Sequence, residues 1–300
     1  PLRWRPLAVA IGLLAIAAGL GTWRWKRPLG PALRVAAFGW HGPRPEGLLG
    51  EYGRRAAEAA GQGARLLVTP ELGVWVDGAS RAEVAGQLGA IAAQHGIALA
   101  IGVDDAGRDD NRIWMFDPAG RLAGEYVKTH LVPFMENYRA GDGTTVSMPL
   151  GDLPGGLGGM ICQDDNFTDV ARRYGREGRG LLSVPTQDWP SIRAYHLENA
   201  RFRPLENGYA VVRATWGGIS ALISPRGELL AQVDHTRAGP ALLVGDLPIG
   251  DGRPTPFARF GHWPVGLACA GLLFAPLLGR RRRTVHKDAA SQAAELSGVP

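Results

Sequence analysis

The sequence predicts an α/β layered domain, because short apolar runs alternate with longer amphipathic segments between Leu33 and His262, and tight turns join some of the runs directly. Two uncharged apolar stretches bracket that region, one on each side, and basic residues flank both. At 300 residues with 45% hydrophobic content the chain can bury a sizeable core.

The elements follow in order. Val35 to Phe38 reads as a first strand, and Glu46 to Gly61 as a helix with apolar positions at helical spacing. Leu66 to Thr69 is a second strand, Ala82 to His95 a second helix and Ala98 to Val103 a third strand. Ile113 to Phe116 and Leu122 to Val127 are strands joined by the turn Asp117-Pro118-Ala119-Gly120-Arg121. Leu157 to Ile161, Leu181 to Val184, Ala210 to Ala214 and Ser220 to Ile223 continue the strand pattern, with a helix from about Ser191 to Glu206. Ser224-Pro225-Arg226-Gly227-Glu228 is a further hairpin turn.

Leu7 to Trp23 and Trp263 to Gly279 each run about 17 residues without a charge, the lower end of what a helix needs to cross a bilayer. Trp4, Trp23 and Trp25 mark the edges of the first as interfacial aromatics do. Trp263 and Arg280-Arg281-Arg282-Arg283 bound the second, and the arginine cluster places its end in the cytoplasm and the intervening domain outside. A buried core helix or a secretory signal is the alternative for the first stretch. The expected organisation is a transmembrane segment over 1–30, a catalytic domain over 31–262, a transmembrane helix over 263–279 and a basic tail over 280–300.

The net charge of +5 and sequence pI of 9.6 come from the ends. Residues 1–33 and 280–300 carry five Lys/Arg each, which leaves 23 basic against 26 acidic residues between them. That middle is not a nucleic-acid surface. The two cysteines, Cys162 and Cys269, cannot build a disulfide framework, and no Cys/His cluster has zinc spacing. Neither a metal nor a cofactor is expected.

Three strand ends carry chemistry. Glu71 follows Leu66-Leu67-Val68-Thr69-Pro70, Lys128 follows Glu125-Tyr126-Val127, and Cys162 follows Gly158-Gly159-Met160-Ile161 and opens Gln163-Asp164-Asp165. Alone, each has a structural explanation: a core thiol, a helix-start carboxylate, a solvated edge lysine. Together they make a nucleophile, a base and an oxyanion partner. A thiol needs a base to become a thiolate, and an ammonium favours the thiolate and the developing oxyanion alike. A nucleophile elbow needs glycine two residues either side of the nucleophile, where Met160 and Asp164 stand, so the α/β-hydrolase and glutamine-amidotransferase arrangements are disfavoured. Gly155-Gly156-Leu157-Gly158-Gly159 precedes a strand instead of opening a helix and is a turn, not a dinucleotide loop.

Pro70-Glu71, Lys128-Thr129-His130-Leu131-Val132-Pro133 and Ile161-Cys162 resemble the Glu-Lys-Cys triad of the nitrilase superfamily. Within it the chain is similar to the apolipoprotein N-acyltransferases over roughly residues 30–280. The marks are Lys128 to Phe134 followed by Glu136, His196 with Ala200 to Glu206, Arg213-Ala214-Thr215 before Gly217-Gly218-Ile219-Ser220, and Thr255 to Pro264 entering an apolar stretch. The resemblance implies a nitrilase-like α-β-β-α sandwich flanked by transmembrane helices, on the outer face of the bacterial inner membrane. It implies acyl transfer from a phospholipid donor through a Cys162 thioester to the amine of a diacylglyceryl lipoprotein acceptor. Glu71 would be base and then acid, Lys128 and the N–H of Gln163 the oxyanion hole, Glu136 the group orienting Lys128, and Asp164 a supporting acid where the family usually carries Glu. Gln163 stands where an aromatic residue is common, and Asn137 to Ser147 is polar where apolar loop residues are usual. A membrane-tethered amidase hydrolysing a small C–N bond, and a catalytically silent interaction module, are the other readings.

Overall fold

A computed structural model describes residues 4–263, 265 and 266. Helix α1 spans Trp4–Lys26. Thereafter the order is β1 (Ala32–Gly39), α2 (Leu48–Gly61), β2 (Leu66–Val68), β3 (Val74–Val76), α3 (Arg81–His95), β4 (Ala98–Asp105), β5 (Asp110–Phe116) and β6 (Leu122–Val127). The second half holds β7 (Leu157–Gly159), a 3₁₀ turn (Cys162–Asn166), α4 (Thr168–Arg176), β8 (Leu181–Gln187), α5 (Arg193–Asn207), β9 (Ala210–Trp216), β10 (Ile219–Ile223), β11 (Leu229–Asp234), α6 (His235–Ala238), β12 (Ala241–Pro248) and α7 (Pro256–Phe260).

Two sheets form. One is seven-stranded, in the order β12-β1-β2-β4-β5-β6 with β3 beside β4, and the other is β11-β10-β9-β8-β7. In the first sheet β1, β2 and β4 run parallel, with Ala36 opposite Leu67 and Leu67 opposite Leu99. Such parallel pairs need a crossover, and α2 and α3 supply it. In the second sheet β7, β8 and β9 are parallel and α4 and α5 are the crossovers.

The period of the helices decides the layers. Leu48, Tyr52, Ala56 and Ala59 lie on one face of α2 and are buried with Phe38, Leu67, Leu99 and Trp114 on one side of the first sheet. Alternate residues of those strands, including Val35, Leu66, Val68 and Ile113, pack with Leu181, Val211 and Leu222 between the sheets. Val170, Ala171 and Tyr174 of α4 and Leu197 and Ala200 of α5 join that core. A fully buried Leu or Phe contributes roughly 1.5–3 kcal/mol, so these two apolar layers dominate the stability. The result is the expected nitrilase-like α/β fold.

The first apolar stretch is helical, and Ile11, Leu14, Ile16, Leu20, Trp23 and Trp25 on it are exposed. Among the described residues no helix is long and apolar enough to cross a membrane. Arg226 of the β10–β11 hairpin ties down the chain after α1, donating to the Arg27 carbonyl at 3.0 Å with its guanidinium 5.2 Å from the Trp25 ring centre. Residues from Arg259 onward form a separate unit. The expected span over 263–279 and tail over 280–300, Cys269 included, lie outside the described residues apart from Trp263, Val265 and Gly266.

Candidate active site

Glu71 leaves the end of β2 on a tight path. Leu72 next to it takes φ 53°, and Pro70 and Glu71 cross so close over β4 that a methyl group on Gly102 would collide with the Pro70 carbonyl and approach Glu71 Cα to 2.7 Å. Only glycine permits that crossing. Lys128 follows β6, its N–H bonded to the Asn111 carbonyl at 2.8 Å. Cys162 opens the 3₁₀ turn three residues beyond β7 with φ 43°. A non-glycine residue there costs on the order of 1–3 kcal/mol, held in place by its surroundings. The strand-to-turn strain of a nucleophile elbow is thus present without the flanking glycines of that motif.

The three side chains meet. Lys128 Nζ donates to Glu71 Oε1 at 2.7 Å and to Glu136 Oε1 at 2.7 Å. Glu136 Oε2 accepts from the Val132 N–H at 2.6 Å, which anchors the loop that carries it. Asn111 Nδ2 donates to Glu71 Oε1 at 2.7 Å, and the Gln187 N–H donates to Glu71 Oε2 at 2.7 Å. Cys162 Sγ donates to the Gln187 carbonyl at 3.4 Å. Glu71, Lys128 and Cys162 are all buried.

Electrostatics follow from that packing. Burial would depress the Lys128 ammonium, but the charges of Glu71 and Glu136 outweigh it and hold Lys128 protonated. Burial pushes the Cys162 thiol well above the usual thiol range, Glu71 adds to the rise and Lys128 opposes it. At rest Cys162 is therefore a neutral thiol, and any attack through its sulfur would need a base to take the proton.

A cavity of about 270 Å³ opens over these groups, lined by Glu71, Lys128, Cys162, Gln163, Asp188 and Trp189 among others. Phe134, Met135 and Trp189 are exposed apolar residues of the segments that line or adjoin it. The arrangement is suited to taking the thiol proton at Glu71, attacking a carbonyl carbon with sulfur, and steadying the oxyanion with Lys128. Gln163 lines the same cavity, while its side chain accepts from Asn166 Nδ2 at 2.7 Å.

Asp164 points away from the reacting groups. Its Oδ2 accepts from Tyr126 OH at 2.8 Å and the Ile161 N–H at 3.1 Å; its Oδ1 accepts from the N–H groups of Thr129 and His130 at 3.2 and 2.7 Å. His130 Nδ1 lies 3.0 Å from the same oxygen, and that hydrogen bond raises the imidazole pKa against the pull of burial. One carboxylate thus staples the Cys162 turn to the Lys128 segment.

Behind Cys162 sits a second charged group that the strand-end reading does not reach. His196 lies with Nδ1 2.6 Å from Asp188 Oδ1 and Nε2 2.8 Å from Asp165 Oδ1. Arg213 donates to Asp165 Oδ2 at 2.7 Å and to Asp188 Oδ2 at 3.0 Å. Burial works against the imidazolium, but Asp165 and Asp188 prevail over both burial and Arg213 and push His196 up to about 9. Cys162, Asp188 and His196 place donor atoms within 4.8 Å of one another. An imidazolium set between Asp188 and Asp165 has no lone pair for a metal, so the set does not fit a cation. Asn111, Gln187, Asp188 and Asp165 were not singled out by sequence; the signal for Asn111 was a polar residue opening the strand Asn111-Arg112-Ile113-Trp114, whereas Gln187 acts through its backbone and leaves none.

A buried thiol, lysine and carboxylate gathered past the strand ends of an α/β sandwich are the groups expected of the carbon-nitrogen hydrolase class. Residues 34–257 match the carbon-nitrogen hydrolase family, and the chain belongs to it. A protein of Pseudomonas syringae pv. tomato named apolipoprotein N-acyltransferase is 28% identical over 319 residues, covering 93% of this chain and 62% of its own length. One of the same name from Chromobacterium violaceum is 30% identical over 325 residues, covering 92% of this chain and 60% of the relative. The chain spans roughly three fifths of the length of these curated relatives. A solved variant of the amidase from Nesterenkonia sp. AN1, with the acetamide moiety of fluoroacetamide added at its active-site cysteine, superposes with TM-score 0.63 at 27% identity, covering 74% of this chain and 92% of that one. Another form of that amidase, in complex with butyramide, gives TM-score 0.62 at 27% identity, over 73% and 92% of the two chains.

Proposed function

We propose that this protein is an acyltransferase of the apolipoprotein N-acyltransferase kind, which moves an acyl chain from a phospholipid through a Cys162 thioester to the N-terminal amine of a diacylglyceryl lipoprotein. The observation that carries the reading is the reach of the similarity: relatives of that name align over 93% of this chain, well beyond the residues 34–257 of the carbon-nitrogen hydrolase match. A second support is the apolar surface of α1. Ile11, Leu14, Ile16 and Leu20 stand exposed on α1, with no charge from Leu7 to Trp23, and a bilayer is the medium that covers such a surface. The protein is accordingly assigned to the inner membrane with its catalytic domain on the outer face.

In the first half-reaction Glu71 takes the Sγ proton, sulfur attacks the ester carbonyl, and Lys128 with the Gln163 N–H holds the oxyanion. Collapse breaks the ester C–O bond, and Glu71 returns the proton to the lysophospholipid oxygen. In the second half-reaction the lipoprotein amine attacks the thioester carbonyl while Glu71 accepts its proton; the C–S bond breaks and the thiol is regained. Glu136 holds Lys128 in place throughout.

A small-amide hydrolase is the second reading, favoured by the Nesterenkonia amidase likeness and by the polar stretch from Asn137 to Ser147. A silent module would have no use for a buried Glu71–Lys128 pair at 2.7 Å that shares a cavity with a buried Cys162. The readings part on water. Protein in detergent with phosphatidylethanolamine should gain a palmitoyl or similar mass on Cys162 and release lysophospholipid to about one equivalent, with turnover resuming when a diacylglyceryl-cysteine peptide is added. Steady ammonia release from butyramide with no acylation by phospholipid would establish the amidase instead.

A further inference from the structure

The Gln187 peptide touches both the base and the nucleophile: its N–H donates to Glu71 Oε2 and its carbonyl accepts from Cys162 Sγ. It ends β8, where a strand would ordinarily fray. Here the next residue is locked. The Asp188 N–H bonds to the Trp216 carbonyl at 2.8 Å, and its carboxylate is held by His196 on one oxygen and Arg213 on the other. Gly217 and Gly218 leave room for it, since a methyl group on Gly218 would strike the Asp188 carboxylate, Cγ included at 2.9 Å. The far side is closed as well, because Asp165, three residues past Cys162, takes Arg213 and His196 on its two oxygens.

We propose that His196 is a positioning residue which, with Asp165, Asp188 and Arg213, clamps the Gln187 peptide and so sets the proton path from Cys162 to Glu71. The inference rests on the Glu71–Cys162 chemistry proposed above, but not on the identity of the acyl donor. His196 touches neither substrate nor the reacting atoms; it acts through Asp188. Its central place between two carboxylates explains why a histidine stands there. A doubly protonated imidazole carries its positive charge on a rigid ring with one nitrogen beside each carboxylate, which no neutral amide side chain does. The charged groups facing it are Asp165 from the 3₁₀ turn, Asp188 from the end of β8 and Arg213 from β9. Two anions between two cations leave the cluster neutral, so removal of any one member would leave a buried charge without its partner.

The test uses iodoacetamide on the whole protein in detergent, which needs no knowledge of the natural substrate. In that reaction the Cys162 Sγ–C bond forms, the C–I bond breaks and iodide leaves, and the thiol proton passes to Glu71. Rate constants are read by intact mass on the parent, His196→Asn, Asp188→Asn, Glu71→Gln and the double variant His196→Asn with Glu71→Gln. The expected result is roughly 10- to 100-fold slower alkylation in His196→Asn and Asp188→Asn, with no more than about twofold further loss when His196→Asn is added to Glu71→Gln, since groups that act as a unit are non-additive. Asp188→Asn keeps the side-chain shape and carries the test where His196→Asn does not fold, as judged by circular dichroism. Alkylation within twofold of the parent in a folded variant, or a loss that multiplies with that of Glu71→Gln, would overturn the clamp. Failure of acyl transfer from phospholipid with the alkylation pattern intact would count against the proposed substrate alone.

Discussion

Cys162 donates its thiol hydrogen to the carbonyl of Gln187 at 3.4 Å, and the N–H of that same Gln187 holds Glu71 at 2.7 Å. Nucleophile and base therefore hang on one peptide. With burial pushing the thiol up and Lys128 resisting, sulfur stays protonated until a carbonyl arrives for it to attack. Such a resting state protects a buried cysteine from chance alkylation and makes the base indispensable.

Cys162→Ala should abolish acyl-enzyme formation, and Cys162→Ser should nearly do so, because a serine hydroxyl in this site is a far weaker nucleophile than a thiol. Stability should change little: the φ of 43° is equally awkward for alanine, and one small buried atom is lost. Thermal unfolding within about 3 °C of the parent, with no thioester by intact mass, is the expected pair of results. An alanine variant with half the parent activity would remove Cys162 from the mechanism.

Glu71→Gln should block both thioester formation and its aminolysis, since one carboxylate serves both proton transfers. Lys128→Ala should instead slow each step by something like 10²–10³, the usual cost of a lost oxyanion donor. Single-turnover kinetics on the two variants separate these outcomes. Rapid thioester formation in the Glu71 variant would show that another base does the work.

Asp164→Ala should destabilise without touching the chemistry directly. It would leave the N–H groups of Ile161 and His130 without their acceptor, while Tyr126 OH keeps Thr129 Oγ1, a loss of roughly 2–6 kcal/mol at one to three per orphaned group. Denaturant unfolding measures it. A change below half a kcal/mol would mean that the staple between the Cys162 turn and the Lys128 segment is replaceable by water.

The residues that ended apolar runs were the legible part of the site. Glu71, Lys128 and Cys162 each close a strand, and strand ends in a layered α/β domain converge on one edge. Asp164 was legible as a position but not as a role, because the pairing of its two oxygens depends on a loop 34 to 38 residues away in sequence. Six strands and helices among the described residues escaped the pattern, α6 and α7 because four and five residues are too few to show a period. Val74 to Val76 is too short to show a period, and α4 is so polar that its buried Val170, Ala171 and Tyr174 hardly stand out. Strands β11 and β12 follow a turn that was read, but Leu229 to Asp234 is only half-buried and Ala241 to Pro248 pairs with β1 across the whole domain. Nothing local announces a partner more than 200 residues away.

Stability should also fall in alkali. His196 is raised in the folded state to about 9 from an ordinary 6.5, so its contribution is fully present below about pH 6.5 and is lost as pH rises through about 9. The melting temperature of the parent should decline over that window, and that of His196→Asn should be lower and flat across it. A parent with unchanged melting between pH 7 and 10 would mean that the imidazole is not held charged by Asp165 and Asp188.

The last expectation concerns sidedness, and it follows from where charge can rest. Arg280 to Arg283 lie past the second apolar stretch, and the positive-inside rule sets the expectation that they rest on the cytoplasmic face. If each apolar stretch crosses once, the sandwich is then outside, where lipoprotein acceptors with free N-terminal amines would meet it. In a chain whose two cysteines are replaced by alanine, a Ser147→Cys substitution in the exposed loop should react with a membrane-impermeant maleimide on intact spheroplasts. Ser291→Cys should react only after lysis. The opposite pattern would put the cavity in the cytoplasm, remove the lipoprotein acceptor from consideration, and leave the hydrolysis of small amides as the reading that the Glu71, Lys128 and Cys162 geometry still permits.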